Sequence, residues 1–276
     1  QTFTITVNPL PTVNPVANQS ICVGQLSQAI NFASTFNVVG TQYHWTNSNP
    51  SIGVVASGTG NIAAFNTVNS GNTVQTGNFS VTPKYSNLQH ECSGNPVTFS
   101  ISVIPTPTVV DPANLVVCNN AAVPAVNFTG AVTGTTYTWT NTATSINLAA
   151  NSTGNIASFN ATNTTAVPVV AVVQVTPSYT HGPTTCTGTN ESFTITVNPT
   201  PTVADQTNIA FCRGSSSSII TLSGSLVSGT TYDWSNSNTA IGLAGSGSGN
   251  IASFVTTNTT NAAISGLITV TPKYTN

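Results

Sequence analysis

Three tryptophans, Trp45, Trp139 and Trp234, recur every 94 to 95 residues, each two places after a tyrosine: Tyr43, Tyr137 and Tyr232. Other landmarks keep the same phase. A Gly-Asn-Ile-Ala run opens Gly60 to Phe65, Gly154 to Phe159 and Gly249 to Phe254. A Val-Thr-Pro-x-Tyr run follows at Val81 to Tyr85, Val175 to Tyr179 and Val270 to Tyr274. A Phe-x-Ile-x-Val strand then ends in proline at Phe99 to Pro105 and at Phe193 to Pro199. A period this long means one folding unit copied in tandem, so the chain has to solve a single fold and repeat it.

The unit is all-β by composition and pattern. Thr, Ser and Asn make up about 40% of the residues, and charged residues only 3%, against about 25% in a typical soluble domain. Hydrophobic residues at 39% suffice for ordinary cores, so the chain is not of the disordered type. Thr and Val favour strands, while Asn, Gly and Pro punctuate them. No stretch shows the 3-and-4 apolar spacing of a helix. Phe99, Ile101 and Val103 alternate with Ser100 and Ser102, the signature of a half-buried strand. About 94 residues with seven short strands fits an immunoglobulin-like β-sandwich. In the first repeat the strands are expected near 12–16, 28–34, 41–47, 52–56, 61–67, 73–85 and 97–104. The recurring tryptophan falls on the third of these, so Trp45, Trp139 and Trp234 are expected to be core residues.

The repeat sets the expected boundaries. Residues 1–9 carry the Phe-x-Ile-x-Val strand and read as the last strand of a preceding repeat. Repeat 1 spans 10–105, repeat 2 spans 106–199, and repeat 3 spans 200–276 without its own last strand. The connections Pro9-Leu10-Pro11-Thr12, Pro105-Thr106-Pro107-Thr108 and Pro199-Thr200-Pro201-Thr202 are short, and paired prolines stiffen them. An elongated rod of sandwiches is the expected arrangement.

The five cysteines follow the period. Cys22, Cys118 and Cys212 come shortly after each proline connection, and Cys92 and Cys186 sit just before the last strand. One such pair per repeat implies disulfides and an oxidising, extracellular compartment. Pairing within a repeat, Cys22 with Cys92 and Cys118 with Cys186, is the favoured expectation, with the partner of Cys212 outside the chain. Pairing across adjacent repeats is the alternative.

Chemistry is sparse. Lys84, Arg213 and Lys273 are the only cations, too few to displace phosphate counterions, so nucleic acid is not an expected partner. No run approaches the 18 apolar residues of a spanning helix, so no membrane insertion is expected. The acids Glu91, Asp111, Glu191, Asp205 and Asp233 are scattered, which does not favour a calcium site. His44, His90 and His181 have no matching positions across the repeats, and no serine sits in a Gly-x-Ser-x-Gly elbow. Gly245-Ser246-Gly247-Ser248-Gly249 lacks the lysine of a phosphate loop and reads as a turn. No catalytic, cofactor-binding or metal-binding residue is expected, and the segment is not expected to be an enzyme.

The succession Pro-Thr-Pro-Thr-Val, Cys, Tyr-x-Trp, Gly-Asn-Ile-Ala, Val-Thr-Pro-x-Tyr, Cys-x-Gly and Phe-x-Ile-x-Val-x-Pro resembles the PKD-like repeats of very large surface proteins of Bacteroidota, in particular the mobile gliding adhesins of the SprB type. Where the better-known PKD module has Trp-Asp-Phe-Gly-Asp-Gly, this chain has Trp45-Thr46-Asn47, Trp139-Thr140-Asn141 and Trp234-Ser235-Asn236. That departure marks a divergent branch. The resemblance implies secretion by the type IX system and a cell-surface filament attached at the outer membrane. It further implies a structural role in adhesion and gliding motility. Partners would be neighbouring repeats, with surface polysaccharide or the outer-membrane motility and secretion machinery beyond them. Two other roles compete: a spacer in a secreted multidomain hydrolase, and a glycan-binding module.

Overall fold

The structure, a computed structural model, describes residues 1–224 and 227–275. Among these, the regular elements are strands apart from three single-turn 3-10 helices. The chain divides into two compact units. The first comprises Gln1–Asp111, Asn127–Trp139 and Val175–Glu191; the second comprises Pro112–Val126, Thr140–Gln174 and Ser192–Asn276.

The first sheet shows why these residues make strands. It contains β1 (Gln19–Cys22), β2 (Gln42–Asn47), β3 (Ser57–Thr59), β4 (Gln75–Asn87), β5 (His90–Ser93) and β6 (Val97–Ile104). Its order is β1-β6-β4-β2-β3, with β5 folded back on β4 as a hairpin. Along β4 every second residue, Gly77, Phe79, Val81 and Pro83, is buried, as a half-buried strand requires. Phe99, Ile101 and Val103 of β6 point to the same side. Phe79 lies opposite Phe99 in register, and their rings stack at 4.8 Å, a geometry that adds about 1 kcal/mol beyond burial. Trp45 lies opposite Val81. β1 joins the far edge parallel to β6, with Gln19 opposite Ile101 and Cys22 opposite Ile104.

The second layer of the sandwich is irregular. Val13, Ile30, Phe32 and Ile62 pack onto the core face of the sheet, and their segments are joined by isolated bridges, Leu26 with Asn66 and Ile30 with Ile62, and by scattered backbone bonds such as the Asn14 amide to the Ala33 carbonyl. The expected strands at 12–16, 28–34 and 61–67 are therefore layers of extended chain outside regular strands. Side chains take the place of the ladder there. The amides of Thr35, Phe32 and Phe65 donate to Asn14 Oδ1, Asn61 Oδ1 and Ser27 Oγ. Such side-chain acceptors compete directly with strand pairing. The expected strand at 52–56 is replaced by the 3-10 turn Pro50–Ile52. Asn49 caps its start, and Gly53 closes it at a positive φ of 109°. The strand β1 and the hairpin strand β5 were not expected.

The second repeat repeats this plan with β7 (Leu115–Cys118), β8 (Ala122–Val123), β9 (Thr136–Asn141), β10 (Asn151–Thr153), β11 (Phe159–Asn160), β12 (Val169–His181), β13 (Thr184–Thr187) and β14 (Glu191–Asn198). Its main sheet runs β10-β9-β12-β14-β7, with β13 paired to β12, and β8 and β11 form a two-stranded sheet of their own. β7 lies parallel to β14, so Cys118 is opposite Asn198, as Cys22 is opposite Ile104.

In the third repeat β15 (Thr231–Asn236) lies between β16 (Ser246–Ser248) and β17 (Ile268–Lys273), with Trp234 opposite Val270. The segment 209–212 corresponds to β1 and β7 but forms no strand, and Ile209 and Phe211 are exposed. β1 and β7 each pair with a parallel last strand, whereas 209–212 pairs with no strand among the described residues.

Candidate functional site

The cysteines define the most specific geometry in the molecule. Each Cys22-type residue opens a tight turn. In Cys22-Val23-Gly24-Gln25 the Gln25 amide donates to the Cys22 carbonyl at 3.1 Å, and the Gly24 amide donates to the Thr67 carbonyl at 2.9 Å. The Thr67 hydroxyl donates to the Cys22 and Gln25 carbonyls. In Cys212-Arg213-Gly214-Ser215 the same bonds recur at 3.2 and 2.9 Å, with Thr256 in the place of Thr67. In Cys118-Asn119-Asn120-Ala121 the Asn120 amide donates to the Ala161 carbonyl. The third residue has positive φ in all three turns: 79° at Gly24, 64° at Asn120 and 79° at Gly214. Glycine and asparagine tolerate that region best.

The other cysteines occupy one register of a hairpin. Cys92 on β5 lies opposite Tyr85, and Cys186 on β13 lies opposite Tyr179. The tips of these hairpins are Leu88-Gln89 and Gly182-Pro183, with positive φ at Leu88, Gln89 and Gly182.

Cys22 is bonded to Cys186, with Cα atoms 5.7 Å apart. The favoured pairing of Cys22 with Cys92 and of Cys118 with Cys186 is therefore corrected: Cys92, Cys118 and Cys212 carry no disulfide. The sheet explains why. Parallel pairing puts Cys22 beside Ile104, at the finish of β6, where Gln75 of β4 faces Val103. Cys92 precedes the start of β6 and faces Tyr85, ten residues further along β4. Ten strand residues span about 33 Å, whereas bonded cysteines hold their Cα atoms within about 7 Å. The hairpin of the second repeat lies beside β1 instead, where the Thr184 hydroxyl donates to the Ser20 carbonyl at 3.0 Å.

Trp45, Trp139 and Trp234 are all buried. Glycine makes room for two of them: a Cβ on Gly58 would overlap the Trp45 ring, and one on Gly247 the Trp234 ring. Trp45 Nε1 donates to the Gly60 carbonyl at 3.1 Å, while Trp139 Nε1 and Trp234 Nε1 have no partner among the described residues. Two places after each tryptophan stands a buried asparagine whose role the sequence did not reveal. The Asn47 side chain donates to the Asn49 and Val54 carbonyls and accepts from the Asn49 amide. Asn141 does the same with Ala143 and Leu148, and Asn236 with Asn238 and Leu243. Each amide ties off the chain reversal after its Trp strand. The signal was visible in Trp-x-Asn, but recurrence alone does not distinguish a buried bracket from a turn residue.

Charged groups are exposed and dispersed. Lys84 pairs with Glu91 at 2.7 Å and Lys273 with Asp233 at 2.5 Å. The hydrogen bond from Lys84 holds the Glu91 carboxyl below its ordinary value, and burial raises the Tyr137 phenol. A shallow depression on the outer side of β2–β3–β4 is lined by His44, Thr46, Thr59, Thr82 and Lys84. No three His, Cys, Asp or Glu residues gather as metal ligands among the described residues, and no helix among them is long and apolar enough to cross a membrane.

Residues 19–107 match the family described as PKD-like domain. That segment runs from β1 through the last strand of the first repeat, so the first repeat matches a PKD-like domain, within an all-β chain of immunoglobulin-like sandwich sheets. Such modules are often extracellular structural or adhesion elements, and the disulfide agrees with an extracellular setting. No characterised protein matches the chain in sequence. Among solved structures, the human desmocollin-1 ectodomain is similar with a TM-score of 0.38 and 11% identity over 90% of this chain. This chain spans 54% of that ectodomain's length. Mouse protocadherin-24 EC1-3 gives 0.35 and 13%, covering 91% of this chain and 86% of the other. Sidekick-1 immunoglobulin domains 1-5 give 0.31 and 13%, covering 94% and 59%.

Proposed function

We propose that this segment is part of the shaft of a secreted cell-surface adhesin filament, carrying load and reach rather than catalysis. The observation that carries this reading is the Cys22–Cys186 bond, which ties the first strand of one repeat to a hairpin of the next. A covalent tie across a junction resists bending and pulling; a catalytic module has no need of it. Three copies of one plan with a surface rich in hydroxyls and amides support the same role. In the finer form of this proposal the filament serves surface adhesion and gliding motility, leaves the cell by type IX secretion and is attached at the outer membrane. Its immediate partners are neighbouring repeats, with surface polysaccharide or the motility machinery beyond them.

Small-angle scattering of the chain tests the mechanical part. A β4-length strand of 13 residues spans about 43 Å, so three sandwiches in line give a maximum dimension of about 110–130 Å. A maximum near half that value would argue against a shaft. Immunogold labelling of cells with an antibody to the chain tests the location, with label expected on surface filaments and absent from the cytoplasm.

A further inference from the structure

We infer that the Cys22–Cys186 bond is a bypass for tension. A lengthwise pull passes from β1 to β14 through the two sulfurs, and the stretch between the cysteines, which are 164 positions apart in sequence, is never drawn taut. The inference deepens the shaft reading and takes from it only that the chain is pulled along its length.

The bond is by far the shorter of two covalent routes between the same points. The Cα atoms of Cys22 and Cys186 are 5.7 Å apart, whereas the chain that joins them reaches about 540–590 Å when fully drawn out. A pull from the amino-terminal side runs along β1 to Cys22, crosses to Cys186 and continues through residues 187–190 into β14. Everything from Val23 to Thr185 hangs on the bond as a closed loop. That loop holds all of β2 through β12. With them it holds Trp45, Phe79 and Phe99 of the first repeat and Trp139, Val173 and Val175 of the second, all buried. Pro105-Thr106-Pro107-Thr108 lies in it as well. The proline connection that joins the two repeats along the chain is therefore slack when the sulfurs are taut.

Two strands remain on the taut route, and both are pulled along their own length. β1 pairs in parallel with β6, and β14 in parallel with β7. Ladder hydrogen bonds run across the strands, so a lengthwise pull shears them together instead of opening them one at a time. Where both strands tear free, the chain gains only the length of their own short segments before the sulfurs stop it. The loop between the cysteines adds nothing to the extension, whether its cores are folded or not.

Single-molecule stretching of the full chain, held at its two ends, tests this with and without dithiothreitol. Non-reducing peptide mapping first verifies the Cys22–Cys186 link. The dithiol passes an electron pair to the bond and closes its own disulfide, and its two protons leave Cys22 and Cys186 as thiols. The oxidised chain is expected to reach full extension about 540–590 Å short of the reduced chain. Cys22→Ser should extend fully without reductant, while Cys92→Ser and Cys118→Ser should keep the shortfall. If Cys22→Ser does not fold, the unaltered chain with and without reductant still makes the comparison. Equal full extension in the two states, or a shortfall lost in Cys92→Ser or Cys118→Ser, would overturn the bypass. The expected shortfall in a molecule whose scattering is compact would uphold the bypass and remove the shaft, so the two readings fail separately.

Discussion

At the scale of single residues, equivalent positions are equivalent in packing but not in hydrogen bonding. Trp45 and Trp139 fill the same place in two cores, but only Trp45 Nε1 finds a carbonyl. Phenylalanine at either site loses volume. At position 45 it additionally loses a hydrogen bond and strands the Gly60 carbonyl, while at 139 it removes a donor that has no partner. Trp45→Phe is therefore expected to cost about 1 kcal/mol more than Trp139→Phe. Urea melts of the two variants measure the difference, and equal costs would show that Trp139 Nε1 is satisfied. Titration is equally local. The lowered Glu91 carboxyl contributes stability above the ordinary glutamate value and loses it as pH falls through its folded value. The raised Tyr137 phenol contributes below the ordinary tyrosine value and loses it as pH rises through its folded value. Between those limits stability is expected to be flat. A thermal midpoint that moves by more than about 10 °C between about pH 5 and 9 would require a titrating group of another kind.

At the scale of elements, β1 and β13 are edge strands of their sheets, paired with β6 and β12, and the disulfide links the two. β1 is four residues on an edge, half-buried throughout, and β13 is a hairpin strand with only Cys186 buried. The disulfide holds both. Reduction should therefore raise amide exchange at residues 19–22 and 184–187 while β4 and β12 stay protected. Exchange measured by mass spectrometry with and without reductant checks this. Simultaneous loss of protection in β4 would mean that the bond supports the sandwich itself. This element is also where the sequence misled. The alternation in Phe99 to Val103 and the Trp strand were legible, because one buried face imposes period two on the side chains. The layer at 12–16, 28–34 and 61–67 was read as regular strands because its apolar residues do face the core. The amides of Phe32, Thr35 and Phe65, however, go to Asn61, Asn14 and Ser27 side chains, while backbone bonds such as the Ile30–Ile62 pair stay isolated, and that choice between partners leaves no trace in a hydrophobic pattern.

At the scale of the whole molecule, the dominant property is the lack of charge. Eight charged residues, three basic and five acidic, serve 276, and the two ion pairs found among the described residues are exposed. Exposed pairs contribute about 0–1 kcal/mol and are screened by salt. Stability is expected to change by less than about 1 kcal/mol between 10 mM and 1 M sodium chloride, as denaturant melts at the two concentrations would record. A larger change would point to ion binding at a specific place.

The sequence alone determined the period, the all-β class, the buried tryptophans' positions and the presence of disulfide chemistry, because each follows from composition or from spacing along one strand. The partner of Cys22 was decided only in three dimensions. Whether a cysteine meets the hairpin of its own repeat or of the next depends on which end of the sheet it occupies. That end is set by the parallel pairing of β1 with β6, a long-range contact that one-dimensional spacing does not encode.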